Sequence, residues 1–163
     1  MRKNFAPRTV WTNPVHFIAC GFGLGTSRFA PGTFGTLLAV VFYLFLRHLS
    51  APWYLLLLVV AFILGVWWCD ITEKDFGVPD HAAIVWDEIV GFWMTMFLVP
   101  IKWNWLWILI GFILFRIFDI WKPWPIRWVD SKVPGGLGIM VDDVIAAIYA
   151  WVVLQAIIFG VLR

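Results

Sequence analysis

The 163-residue chain carries ten acids and twelve Lys or Arg residues, and most of the acids gather in a few places. Asp80-His81 is followed by Asp87-Glu88. Arg116 and Asp119 precede Lys122-Pro123-Trp124-Pro125-Ile126-Arg127. Gly135-Gly136-Leu137-Gly138 leads through Ile139-Met140-Val141 to Asp142-Asp143. Each group has an ordinary explanation. Acids such as Asp87 and Glu88 suit the first turn of a helix, where they meet the positive end of its dipole. As neighbours on a helix they point about 100° apart, so one could hold a metal while the other orients a ligand or meets a basic residue. A lone His81 is more often a solvated or capping group. Arg116 and Asp119, at i and i+3, share a helical face and could pair. Lys122 and Arg127 would sit among tryptophans, either as interfacial anchors or as ligands of a substrate phosphate. One Asp capping a helix is routine. Two in succession at the mouth of an apolar helix of about 19 residues exceed what capping needs.

Taken together, three separate segments bring carboxylates to one level: Asp87/Glu88, Asp119 and Asp142/Asp143. Hard oxygen ligands of this kind suit Mg²⁺, which takes one or two carboxylates together with phosphate oxygens and water. Basic residues in the same layer could hold a phosphate. The combination points to metal-assisted phosphoryl chemistry. No nucleotide-binding signature accompanies it, so hydrolysis is preferred over a kinase reaction. A second glycine-rich stretch, Gly21-Phe22-Gly23-Leu24-Gly25-Thr26-Ser27, stands before Pro31-Gly32-Thr33. It reads either as an anion-binding approach to a helix N-terminus or as a flexible loop with an ordinary cap. It lacks the Lys of a P-loop and the preceding strand of a dinucleotide site.

The elements that must position these residues are apolar. Hydrophobic residues make up 63% of the chain, charged ones only 13%, and the mean hydropathy is +0.89. Such a surface is solvated by lipid rather than water. Five spanning helices are expected, over 29–46 (the helix itself starting near Thr33 as N-cap), 48–69, 84–100, 103–121 and 144–162. The expected fold class is therefore all-α, a polytopic membrane helix bundle folded as a single domain over 1–163. Residues 14–24 form a short interfacial helix or a partly inserted one. The basic N-terminal tail has no cleavage signature and reads as a retained cytoplasmic segment. With that end inside, Arg2, Lys3, Arg8, Arg28, Lys74, Arg116, Lys122, Arg127 and Lys132 all fall on the cytoplasmic side, as do the acids. Trp53, Trp103, Trp105 and Trp107 mark the outer boundary, and Trp67, Trp68, Trp121, Trp124 and Trp128 the inner one. Cys20 and Cys69 are too isolated for a disulfide framework or zinc site. No basic stripe with stacking aromatics suggests nucleic acid.

The strings Pro31-Gly32-Thr33, Ile84-Val85-Trp86-Asp87-Glu88, Phe115-Arg116-Ile117-Phe118-Asp119 through Arg127, and Gly135 through Asp143 closely resemble the phosphatidylglycerophosphatase A family, in the same order and over nearly the whole chain. The resemblance implies an all-α, Mg²⁺-requiring lipid phosphatase. Its substrate would be phosphatidylglycerophosphate, met at the cytoplasmic leaflet of a bacterial inner membrane, with no obligate protein partner. By matching position it also puts the family's acidic motifs on Asp80, Asp87, Glu88, Asp119, Asp142 and Asp143, with His81 and Lys122 beside them. Asp70, Glu73 and Arg28 have no clear family counterpart and receive no catalytic role.

The expected catalytic set is Asp87, Asp119, Asp142, Asp143 and His81. One or two Mg²⁺ ions would be held by some of Asp87, Glu88, Asp119, Asp142 and Asp143. Lys122, Arg116, Arg127 and Thr33 would bind substrate phosphate. Water attack and a phospho-aspartate route both remain open at this level. A cation transporter is the rival from another class, but the acids gather at one face instead of forming a path across the bilayer. A purely structural subunit of a lipid-enzyme complex is the third alternative.

Overall fold

The computed structural model describes residues 6–101 and 104–162, and every regular element among them is helical. Arg2, Lys3 and Trp103, used above to orient the chain, lie outside the described residues. Short 3₁₀ turns at Arg8–Trp11 and Leu24–Thr26 flank α1 (Pro14–Ala19). There follow α2 (Pro31–Leu46), α3 (Ala51–Phe76), α4 (Trp86–Thr95), α5 (Asn104–Trp121), α6 (Ile126–Lys132) and α7 (Gly135–Leu162).

Helix α4 is the hub. Its ten residues include Trp86, Asp87, Ile89, Val90, Gly91, Phe92, Trp93 and Thr95 as buried side chains or backbone. The Trp86 indole donates to the Ala61 carbonyl of α3 at 3.1 Å, and the Trp93 indole donates to Ala39 of α2 at 3.0 Å. Tyr54 of α3 donates its hydroxyl to the Trp93 carbonyl at 2.7 Å. Each bond satisfies a polar atom that would otherwise be costly among apolar neighbours. Helix α7 packs along α3, α4, α5 and α6, while α2 covers the other side of α4. Gly91 of α4 lies where a Cβ would strike the Phe115 ring of α5 at 2.7 Å, so that crossing depends on glycine.

Helices α3 and α7 are long and apolar enough to cross a membrane, and only 28% of the apolar stretch of each is buried in the protein. The remainder is an exposed hydrocarbon surface, consistent with a membrane protein. Helix α2, at 16 residues, is apolar but shorter.

Several boundaries differ from the sequence-based expectation. The segment 84–100 holds a helix of only ten residues, about 15 Å long at 1.5 Å per residue, which is half a hydrocarbon core. Helix α3 begins at Ala51 and runs to Phe76, beyond the expected end at 69, where Gly77 closes it with φ 64°. Helix α7 begins at Gly135, nine residues before the expected start at 144. Asp142 and Asp143 therefore lie in its third turn, not at its mouth. The start is glycine-built for a steric reason: a Cβ on Gly136 would collide with the Val66 carbonyl and the Asp70 amide of α3. Helix α2 starts with Pro31 after Ala30 in the left-handed region (φ 44°), so Thr33 is its third residue and not its cap. Residues 14–24 supply the six-residue α1, capped by the Asn13 side chain, and it lies against α3.

Candidate active site

A cavity of about 290 Å³ opens where the N-termini of α2 and α4, the C-terminal part of α5 and the third turn of α7 meet. Six carboxyl groups line it (Asp80, Asp87, Glu88, Asp119, Asp142 and Asp143), with only two cationic side chains, Arg116 and Lys122. The two cations already have partners. Arg116 Nη1 lies 2.5 Å from Asp119 Oδ2 and 3.7 Å from Glu88 Oε1, with all three side chains largely buried. This is the i, i+3 pair expected on α5. Lys122, which follows the last turn of α5 with φ 44°, places Nζ 2.6 Å from Asp142 Oδ2 and 2.7 Å from Asp130 Oδ1. Burial works against the Lys122 ammonium, but Asp142 first and Asp130 with it outweigh that cost and raise its pKa.

Three of the six acids converge. Asp87, Glu88 and Asp143 each offer a carboxylate oxygen, all within 4.8 Å of one another. Asp87 Oδ1, Glu88 Oε2 and Asp143 Oδ2 are buried and accept no hydrogen bond from any described residue. Buried carboxylate oxygens are seldom left unmatched, because desolvation without a partner is expensive. Three such acids in one cavity offer oxygen ligands to a cation. An all-oxygen, carboxylate-rich set of this kind fits Mg²⁺. Although Asp87 and Glu88 leave the helix in different directions, both line the same cavity. Asp142 is held differently: its Oδ1 accepts from the Asp143 backbone N–H at 3.0 Å.

Gly32 forms part of the wall. A Cβ there would overlap Glu88 Oε1 and come within 3.0 Å of Arg116 Nη1. The first turn of α2 thus presses bare backbone against the Glu88–Arg116 pair.

Three expected residues lie elsewhere. The lining contributed by α2 is Ala30, Pro31 and Gly32, without Thr33. His81 is buried outside the lining, its Nδ1 accepting from the Ala83 N–H at 3.1 Å and its ring edge-on to Phe76. Burial lowers the His81 pKa, with Asp80 opposing, in keeping with a neutral ring that braces the turn into α4. Arg127 lines an adjoining cleft. The Gly21–Ser27 loop also stays out of the lining. It packs under residues 83–85, with Gly25 against the Ala83 carbonyl and Val85 donating to Ala19 at 3.0 Å. Asp130 was not anticipated. It reaches Lys122 because the turn through Pro123 and Pro125 folds α6 back, a path that the spacing of residues does not announce. Glu73, given no catalytic role, accepts from the Asp80 N–H at 3.0 Å and so steadies the Asp80 turn.

Fold and site together define a helical protein with a membrane-type surface and a buried carboxylate cavity fit for a divalent cation. The model of the family described as phosphatidylglycerophosphatase A matches residues 17–158. The phosphatidylglycerophosphatase A of Escherichia coli K12 is 46% identical over 141 residues, covering 86% of this chain and 81% of the relative. That of Haemophilus influenzae Rd is 46% identical over 151 residues, 92% of each chain. A Bacteroides thetaiotaomicron protein provisionally named phosphatidylinositol-3-phosphatase is 41% identical over 143 residues, 84% of this chain and 89% of the relative. No solved structure matches. The chain belongs to the phosphatidylglycerophosphatase A family of enzymes.

Proposed function

We propose that this enzyme is a Mg²⁺-dependent phosphatidylglycerophosphatase. It removes the terminal phosphomonoester of phosphatidylglycerophosphate at the cytoplasmic leaflet of a bacterial inner membrane, giving phosphatidylglycerol and phosphate. The family and the names of its relatives support the substrate class. The observation that carries the chemistry is the convergence of Asp87, Glu88 and Asp143 on one point, each with a buried oxygen lacking a partner among the described residues. The working unit in this proposal is one membrane-embedded domain spanning 1–163 that needs no protein partner.

Mg²⁺, when bound by Asp87, Glu88 and Asp143, supplies Lewis-acid stabilisation of the phosphoryl oxygens. Arg116 and Lys122 neutralise phosphate charge from the side facing α5 and α6. Asp119 and Asp142, oriented by those two cations, are placed to take the proton of the attacking water. The water oxygen bonds to phosphorus, the ester bond breaks, and the lipid hydroxyl leaves with a proton returned to it. The cation-transporter alternative finds no support in a site whose acids collect in one cavity.

The test is phosphate release from phosphatidylglycerophosphate in detergent, with Mg²⁺ or a chelator, for the wild type, Asp142→Asn and Asp143→Asn. Chelation and each substitution should abolish turnover. Activity that survives chelation and both substitutions would overturn the proposal.

A further inference from the structure

Beside the acidic cavity lies a second cleft of about 490 Å³, whose lining includes Trp121, Lys122, Trp124, Arg127, Trp128 and Ser131. Lys122 belongs to both spaces. Its ammonium has three donors, and Asp130 and Asp142 engage two of them. Arg127 is exposed, and no hydrogen bond or ion pair ties it to any described residue. The three tryptophans around it are 66%, 80% and 56% exposed, far more than folding alone would leave on such large rings. Interfacial anchoring accounts for exposed indoles. It does not account for a cleft between them that holds an unpaired guanidinium and shares a lysine with the carboxylate cavity.

The geometry points to a headgroup subsite, and we propose that this cleft seats the inner phosphodiester of the lipid substrate. This rests on the function proposed above, since it places the diester one step outward from the phosphomonoester in the carboxylate cavity. An acidic cavity with a cation suits a dianionic phosphomonoester. A cleft with one free guanidinium and apolar indole walls suits a singly charged diester carrying acyl chains. The planar fork of Arg127 can contact two diester oxygens at once. Lys122, at the boundary, touches the region between the two phosphorus atoms.

The test uses the intact chain in detergent, and two ligands that are not hydrolysed. Dihexanoyl phosphatidylglycerol has the diester alone, and inorganic phosphate in the presence of Mg²⁺ reports the inner cavity. Calorimetric titration gives both dissociation constants for the wild type, Arg127→Gln and Arg127→Lys. Loss of a charge-assisted contact should raise the phosphatidylglycerol constant about tenfold in Arg127→Gln. Arg127→Lys, which keeps the charge but not the fork, should recover part of that loss. The phosphate constant should stay within about twofold, because Arg127 does not line that cavity. Unchanged phosphatidylglycerol binding in Arg127→Gln overturns the proposal. So does an equal rise for both ligands, which would mark a general charge effect. Because neither ligand turns over, a chain that releases no phosphate yet shows the Arg127-dependent loss refutes the catalytic assignment and supports the cleft.

Discussion

The carboxylate cluster makes a prediction about stability that is independent of turnover. Two unit charges at the 4.8 Å limit of the Asp87, Glu88 and Asp143 oxygens repel by about 3.5 kcal/mol at an effective dielectric of about 20. Were all three ionised, three such pairs would oppose the fold by about 10 kcal/mol, a ceiling that bound protons and Arg116 bring down. Asp143→Asn removes two of the three pairs. In chelator the variant should therefore melt above the wild type. Mg²⁺ should narrow that gap, because the wild type gains more from it than the variant. A ligand bound only by the folded state stabilises by about 2.7 kcal/mol at a hundred times its dissociation constant. For a chain of this size that corresponds to a rise in melting temperature of roughly 5–11 °C. The variant, with one cation-facing oxygen gone, should gain less than about a third of that rise. Thermal melts in detergent, followed by intrinsic fluorescence in chelator and across a Mg²⁺ series, give all four numbers. Equal Mg²⁺ shifts in both proteins would refute the cluster as a cation site, as would no shift in the wild type.

Other expectations follow from single contacts. Gly32→Ala puts a methyl group into Glu88, and a displacement of about 1 Å at a catalytic group should lower kcat about a hundredfold, measured by phosphate release. Tyr54→Phe leaves the Trp93 carbonyl without its 2.7 Å donor and should cost about 1 kcal/mol of stability in denaturant titration. His16 Nε2 and Asp75 Oδ2, 2.9 Å apart across α1 and α3, should show a coupling of about 0.5–1 kcal/mol in a double-mutant cycle scored by melting. His81, with its pKa lowered by burial, contributes stability above the ordinary histidine pKa that is lost as pH falls through its own lower value, because the unfolded ring takes the proton first. His81→Asn should flatten that acid limb, as read from melting temperatures at a series of pH values.

How much of this was legible depends on what each residue's role required. The Arg116–Asp119 pair follows from helical spacing, and the structure bears it out at 2.5 Å. The segments that deliver acids could be found because charged residues are conspicuous in an apolar chain. Length misled where glycine acts in packing instead of breaking a helix. Gly135, Gly136 and Gly138 looked like a loop, yet they begin α7: Gly136 leaves room for the α3 backbone and Gly138 for the Val133 carbonyl. The apolar run 84–100 looked long enough to span, but apolarity there reflects burial on all sides of α4, which periodicity does not separate from lipid exposure. Thr33 had the right type for a cap, while Ala30 turns the chain and Pro31 begins the helix. The Lys122–Asp130 contact depends on a proline turn whose path no local spacing specifies.

The early start of α7 has a consequence for selectivity. Seven residues separate Gly135 from Asp142, so the acids sit about 10 Å along the helix from its first residue. On the proposed function the cavity meets a cytosol whose sugar phosphates and nucleotides are esters chemically similar to a lipid phosphomonoester. A recessed position that favours molecules tethered by greasy tails would spare those metabolites without any contact devoted to rejecting them.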